Sequence, residues 1–168
     1  MALIKTNARS ASALDATILT GNLPAISGAS LTGVSAGKVL QVQQAVKTDT
    51  FTTSSSMVDI TGLTVNITPS SSSNKILVLS TVNGSQEVNI TRGYMILYRD
   101  STAIFVGTNT GSRFGGSGSF SSVSGSIASP NVSTSFLDTP NTTSQITYKW
   151  QGGNKGNPGG FYINRSED

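Results

Sequence analysis

From position 37 onward the chain is written in alternating apolar and polar residues. Leu63, Val65 and Ile67 occupy every other position, with Thr64, Asn66 and Thr68 between them. A period of two sends the two sets to opposite faces of a β-strand. An earlier run is less regular: Leu40, Val42 and Val46 share a parity that Gln44 interrupts, and Thr50 and Thr52 carry it toward Ser54, Ser55 and Ser56. These two runs are expected to pair antiparallel around a turn near 53–56.

The same grammar continues to the end. Lys75 to Val82, KILVLSTV, is apolar on both parities, the pattern of a central strand covered on both sides. Asn83-Gly84-Ser85 follows as a turn signal. In GYMILYRDSTAIFVG, Tyr94, Ile96 and Tyr98 alternate with Met95, Leu97 and Arg99, and Asp100-Ser101 is a good turn pair before Ala103 to Val106 returns as the second arm of a hairpin. Val132 to Leu137 reads as a strand, Asp138 to Asn141 as a turn, and Ile146, Tyr148 and Trp150 place three large side chains on one face of the next strand. A loop over 152–160 precedes a last short strand, Phe161 to Asn164.

Two regions stand apart. Residues 107–130 are nearly all small, with Phe114, Phe120, Val123 and Ile127 spaced through them. Such a run is either a very long loop or a set of strands whose small residues allow close backbone approach at a subunit interface. Residues 1–36 read as an arm. Leu-Thr-Gly occurs at 19–21 and again at 31–33, and Leu19, Leu23, Ile26, Leu31 and Val34 have too few apolar neighbours to bury one another. A copy of the arm or the surface of another protein is the natural cover, so the arm points to oligomerisation or docking.

Composition agrees with an all-β chain. Of 168 residues, 48 are Ser or Thr and 18 are Gly, while only 11% are charged. One domain of about 130 residues, 37–168, can hold its own core beside the arm. Cysteine and histidine are both absent. Without them no disulfide framework, thiolate nucleophile or His-based zinc site can be built, and most nucleophile–base pairs are lost. Asp49, Asp59, Glu87, Asp100 and Asp138 keep a carboxylate-pair glycan depolymerase formally open, with no motif to support it. No cofactor is called for.

The net charge of +3 comes from basic residues scattered singly, which argues against nucleic-acid binding. The N-terminus lacks the apolar core of a signal peptide, and no run is long enough for a membrane helix. The chain is therefore expected to be soluble, without membrane insertion, and made in the cytoplasm of the producing cell. Asn-X-Ser/Thr triplets at Asn66, Asn89, Asn131, Asn141 and Asn164 are what chance gives in so Asn-, Ser- and Thr-rich a chain. GSRFGGSGS lacks the GK[ST] of a phosphate loop. Tyr94, Tyr98, Tyr148 and Trp150 could form an aromatic platform for a sugar, although period-two aromatics more often serve a core or an interface.

Taken in order, ALIKTNARSAS, LTGNLPAISGASLTGV, GKVLQVQQAVKTDTFTTSSSMVDITGLTVNITPSSSSNKILV, LYRDSTAI and FLDTPNTTSQITYKWQ…YINRS resemble small fibre and fibre-tip proteins of tailed bacteriophages, especially marine and cyanobacterial ones. The resemblance covers nearly the whole chain, and its order is more specific than any one motif. It implies a homotrimeric antiparallel β-sandwich head of jelly-roll type, similar to complement-type or tumour-necrosis-factor-like heads. It also implies an N-terminal arm that joins other virion structural proteins, a place on the virion surface, and the host-surface binding of many members; a cell-surface glycan, held through weak contacts multiplied over three copies, is the expected host partner. A fibre or capsid decoration without receptor function is the alternative.

On this reading docking falls to Leu3, Ile4, Lys5, Thr6, Asn7, Leu19, Leu23 and Ile26. The trimer interface falls to Leu31, Val34, Phe114, Phe120, Tyr148 and Trp150. Relatives often continue past the YINRS stretch with another strand, so the arm or a neighbouring subunit is expected to complete the sheet.

Overall fold

Residues 38–54, 56–87, 93–111, 115–120, 129–154 and 159–166 are described by a computed structural model. Chain contacts divide the protein into Met1–Leu40 and Gln41–Asp168. Every described strand lies in the second unit. These are β1 (Phe51–Thr53), β2 (Val58–Ile67), β3 (Ile76–Gln86), β4 (Gly93–Arg99), β5 (Thr102–Ile104), β6 (Gly118–Phe120), β7 (Asn131–Asp138), β8 (Ile146–Asn154) and β9 (Phe161–Ile163). No helix occurs among the described residues.

All pairings are antiparallel, and the strands form two sheets. One has the order β1-β9-β3-β7, the other β2-β8-β4-β5, with β6 also on β4. Consecutive strands mostly change sheets. The Ser-rich segment at 53–56 is thus a crossing rather than a hairpin: β1 pairs with β9, and β2 pairs with β8. Local alternation cannot tell these apart, because a strand that pairs with its neighbour and one that crosses over share the same period.

The expected hairpin at 94–106 does form, with Arg99 opposite Thr102 and Asp100 at φ 54° in the two-residue turn. Its second arm is shorter than its sequence suggests, ending at Ile104, and Phe105 has φ 51°. β5 lies against Leu97 to Arg99 and β6 against Gly93 to Met95, on the edge of β4 away from β8. They are two ends of one interrupted edge strand. Ser117 stitches the interruption: its N–H donates to the Met95 carbonyl (2.9 Å), and its hydroxyl accepts from the Leu97 N–H (3.0 Å). The small-residue run therefore holds an insertion and a short returning strand.

The core lies between the sheets. Ile60, Val82, Met95, Leu97, Phe120, Trp150, Phe161 and Ile163 form one buried cluster, each fully buried side chain contributing about 1.5–3 kcal/mol from desolvation alone. Ile146, Tyr148 and Trp150 share the inner face of β8, as their spacing predicts. The Phe120 and Phe161 rings meet at 5.6 Å between centroids. Gly152 is what the core requires at that point of β8, since a Cβ there would run into the Phe161 ring and Ile60.

Candidate interaction surface

β3 was the strand whose sequence asked for cover on both faces, and the fold supplies it on one. Its even-numbered residues, Ile76 to Val82, turn toward the core, while Leu77 and Leu79 point outward and are 57% and 68% exposed. Across the ladder, β7 places Leu137 opposite Leu77, Ser135 opposite Leu79, Ser133 opposite Thr81 and Asn131 opposite Asn83. The outer face of this strand pair is thus aliphatic at one end and amide- and hydroxyl-lined at the other. The polar end is ordered by its own cross-strand bonds, Thr81 Oγ1 to Ser133 Oγ (3.2 Å) and Asn83 Nδ2 to Asn131 Oδ1 (3.2 Å). An open depression of about 430 Å³ runs over Leu79 to Thr81 and Ser133 to Ser135.

A second exposed aliphatic set lies N-terminal to β1. Val39, Leu40, Val42 and Val46 are 82%, 63%, 76% and 69% exposed. Residues 38–49 belong to no strand, although their alternation anticipated one. The segment is held at its C-terminal end. Asn164, just after β9, donates from Nδ2 to the carbonyls of Lys47 (2.9 Å) and Asp49 (3.2 Å). The Lys47 ammonium also bonds Asp49 (2.9 Å), and that bond holds the Asp49 carboxyl below its ordinary pKa.

The outer face of the other sheet is polar and aromatic. Tyr94 and Tyr98 project from β4 on this side and are half-buried. Lys149 stands opposite Tyr98, and Gln151 opposite Ile96. Asp59 of β2 accepts from Lys149 Nζ (2.8 Å) and Gln151 Nε2 (2.7 Å), which depresses its pKa, the lysine bond most. The four aromatics named as a possible platform are split between faces. Tyr94 and Tyr98 are outside, whereas Tyr148 and Trp150 lie in the core.

At one end of the sandwich a charged cluster joins the sheets. Arg99 Nη1 on β4 lies 2.9 Å from both oxygens of Asp138 at the end of β7. Tyr148 donates its hydroxyl to Asp138 Oδ2 (2.6 Å), and the Thr139 N–H bonds Oδ1 (2.9 Å). Burial, and then this bond to the carboxylate, push the Tyr148 phenol pKa upward. The remaining acids among the described residues are also engaged: Glu87 accepts from the Gly160 N–H and Asp100 from the Thr147 N–H. Among the described residues no three acidic side chains gather as a metal site would need, and no helix is long and apolar enough to cross a membrane.

Comparison with protein-family models, with curated proteins and with solved structures returns no match. Residues are therefore the only guide to the surface. Leu3, Ile4, Lys5, Thr6, Asn7, Leu19, Leu23 and Ile26, named for docking, lie outside the described residues, as do Leu31, Val34 and Phe114 from the interface set. The other three are placed. Phe120, Tyr148 and Trp150 are 1%, 6% and 5% exposed, inside the chain's own core, and need no second copy to cover them. Leu77, Leu79 and Leu137 are the outward residues of this strand pair left more than half exposed; the two on β3 were hidden in the sequence because that strand is apolar on both parities.

Proposed function

We propose that this chain is a structural protein of a tailed-bacteriophage virion, a homotrimer that displays a jelly-roll head and docks to the particle through residues 1–36. The observation that carries the reading is the aliphatic outer face of β3 and β7. Leu77, Leu79 and Leu137 are more than half exposed in one copy. A contiguous patch of this kind marks an interaction surface, and a threefold assembly of the head supplies its cover. The strand order fits the head type as well. With β5 and β6 taken as one interrupted strand, the sheets read 1-8-3-6 and 2-7-4-5, the arrangement of two Greek keys in a jelly roll.

Self-association through the four-stranded sheet leaves the outer face of the other sheet in solvent. Tyr94, Tyr98, Lys149, Gln151 and Asp59 there offer ring faces, donors and acceptors suited to a cell-surface glycan. Three copies would add weak contacts through multivalency. The role is presentation and attachment without chemistry.

Sedimentation of the purified protein, together with imaging of particles carrying a labelled copy, tests the reading. A stable trimer and label on the virion surface are expected. A monomer at micromolar concentration, or particles without label, would overturn it. Incubation with host polysaccharide and assay for new reducing ends tests the depolymerase alternative.

A further inference from the structure

Two parts of this chain have the same kind of unmet need. β7 is eight residues long and lies at one end of the four-stranded sheet, and among the described residues it pairs with β3 alone. A free strand edge is a row of unpaired N–H and C=O groups that can template another chain, and natural sheets guard it with lysine, proline, bulges or inward charges. β7, NVSTSFLD, has no lysine and no proline, and its register with β3 is unbroken from Ile76↔Asp138 to Asn83↔Asn131. Its one charge, Asp138, is taken up by Arg99 and Tyr148 at the sheet junction.

Residues 39–46, VLQVQQAV, present the complementary feature. They are uncharged, as long as β7, and free of positive φ. Among the described residues no backbone hydrogen bond engages them. Leu40, Val42 and Val46 share one parity and all point into solvent. Asn164 fixes the exit of this segment beside β1 and β9. β1 lies at the end of the sheet away from β7, roughly 14 Å off at about 4.8 Å per strand. A copy's own segment thus leaves at the wrong edge to reach its own β7.

We infer that residues 39–46 of one copy add as a further strand to the free edge of β7 in a neighbouring copy. The contact is heterologous, one edge giving and the opposite edge receiving. Such contacts close into rings when the rotation allows. The inference rests on the trimer reading and specifies its geometry: three copies, each giving one strand and receiving one. On the outer face, Leu40, Val42 and Val46 then extend the row of Leu77, Leu79 and Leu137 from two strands to three, and this enlarged apolar face is the one that packing of the three sheets about the axis covers. A strand of eight residues is about 26 Å long.

The chain lacks cysteine, so engineered pairs report without background. Full-length proteins would carry one donor change, Leu40→Cys, Val42→Cys, Gln44→Cys or Val46→Cys, together with Ser133→Cys or Ser135→Cys in β7. After mild oxidation at least one pair is expected to run as a covalent trimer on a non-reducing gel. The matching single-cysteine proteins should lose that band, and peptide mass spectrometry should show the donor–acceptor link. Trimers by sedimentation with no cross-link at any pair would overturn the strand addition and leave the trimer standing. Monomers by sedimentation would overturn both. A disulfide within one chain would show that the segment covers its own body, which also overturns the inference.

Discussion

Arg99 and Asp138 meet across the sandwich, one nitrogen of the guanidinium 2.9 Å from both carboxylate oxygens. The pair ties β4 in one sheet to β7 in the other. The Asp138 side chain is 8% exposed and that of Arg99 27%, so removing the acid strands a partly desolvated cation. Asp138→Asn is expected to cost about 3 kcal/mol in chemical denaturation. The double variant Arg99→Met with Asp138→Asn should cost clearly less than the single one, because it leaves no charge unpaired while the amide oxygen can still accept from Tyr148.

Tyr148 gives the same cluster a pH signature. The fold raises its pKa above the ordinary tyrosine value of 10.0, first by burial and then by the bond to Asp138. The folded chain therefore keeps a proton that the unfolded chain has begun to lose. Stability from this group is fully present below about pH 10 and falls as pH rises beyond it. Thermal unfolding followed from pH 8 to 11 should show that decline, and Tyr148→Phe should flatten it.

Ser80 and Thr134 face each other across β3 and β7 on the inner side, and neither hydroxyl has a hydrogen-bond partner among the described residues. A buried polar group left unpaired costs about 1–3 kcal/mol. Thr134→Val keeps the shape and removes that cost, so a gain of about 1 kcal/mol in denaturant titration is expected. Loss of stability of that size would mean the hydroxyl is satisfied by a bound water.

What could be read from the sequence was whatever depends on neighbours in the chain. The alternation over 63–67 and 146–150 gave strands and their inner faces, and Asp100-Ser101 gave a turn. Pairing partners were out of reach, because β1 meets β9 more than a hundred residues away. The outward face was hidden for a related reason. Apolar residues on both parities of β3 state that both faces want cover, and nothing local says that the fold turns only one of them inward. Likewise Tyr148 and Trp150 share with Tyr94 and Tyr98 a period-two aromatic pattern, and only the packing of two sheets separates core from surface.

Leu77 and Leu79 allow the outer face to be tested apart from the fold. Both are more than half exposed, whereas Leu97, one sheet away, is 1% exposed. Leu97→Ala opens the core and should cost about 2–5 kcal/mol. Leu77→Lys with Leu79→Lys places charges where one copy already meets water, so its unfolding free energy, taken at a dilution where the parent is also monomeric, should change by less than about 1 kcal/mol in all. Association should respond in the opposite order. In a trimer the two lysines would bury or repel in every copy, and a penalty of roughly 3–4 kcal/mol weakens assembly by about two to three powers of ten. On the proposed assembly, sedimentation of the double variant is therefore expected to show folded monomers under conditions where the parent protein is expected to form trimers. A variant that stays trimeric would move the contact away from β3, and one that unfolds would show that these leucines serve the single chain.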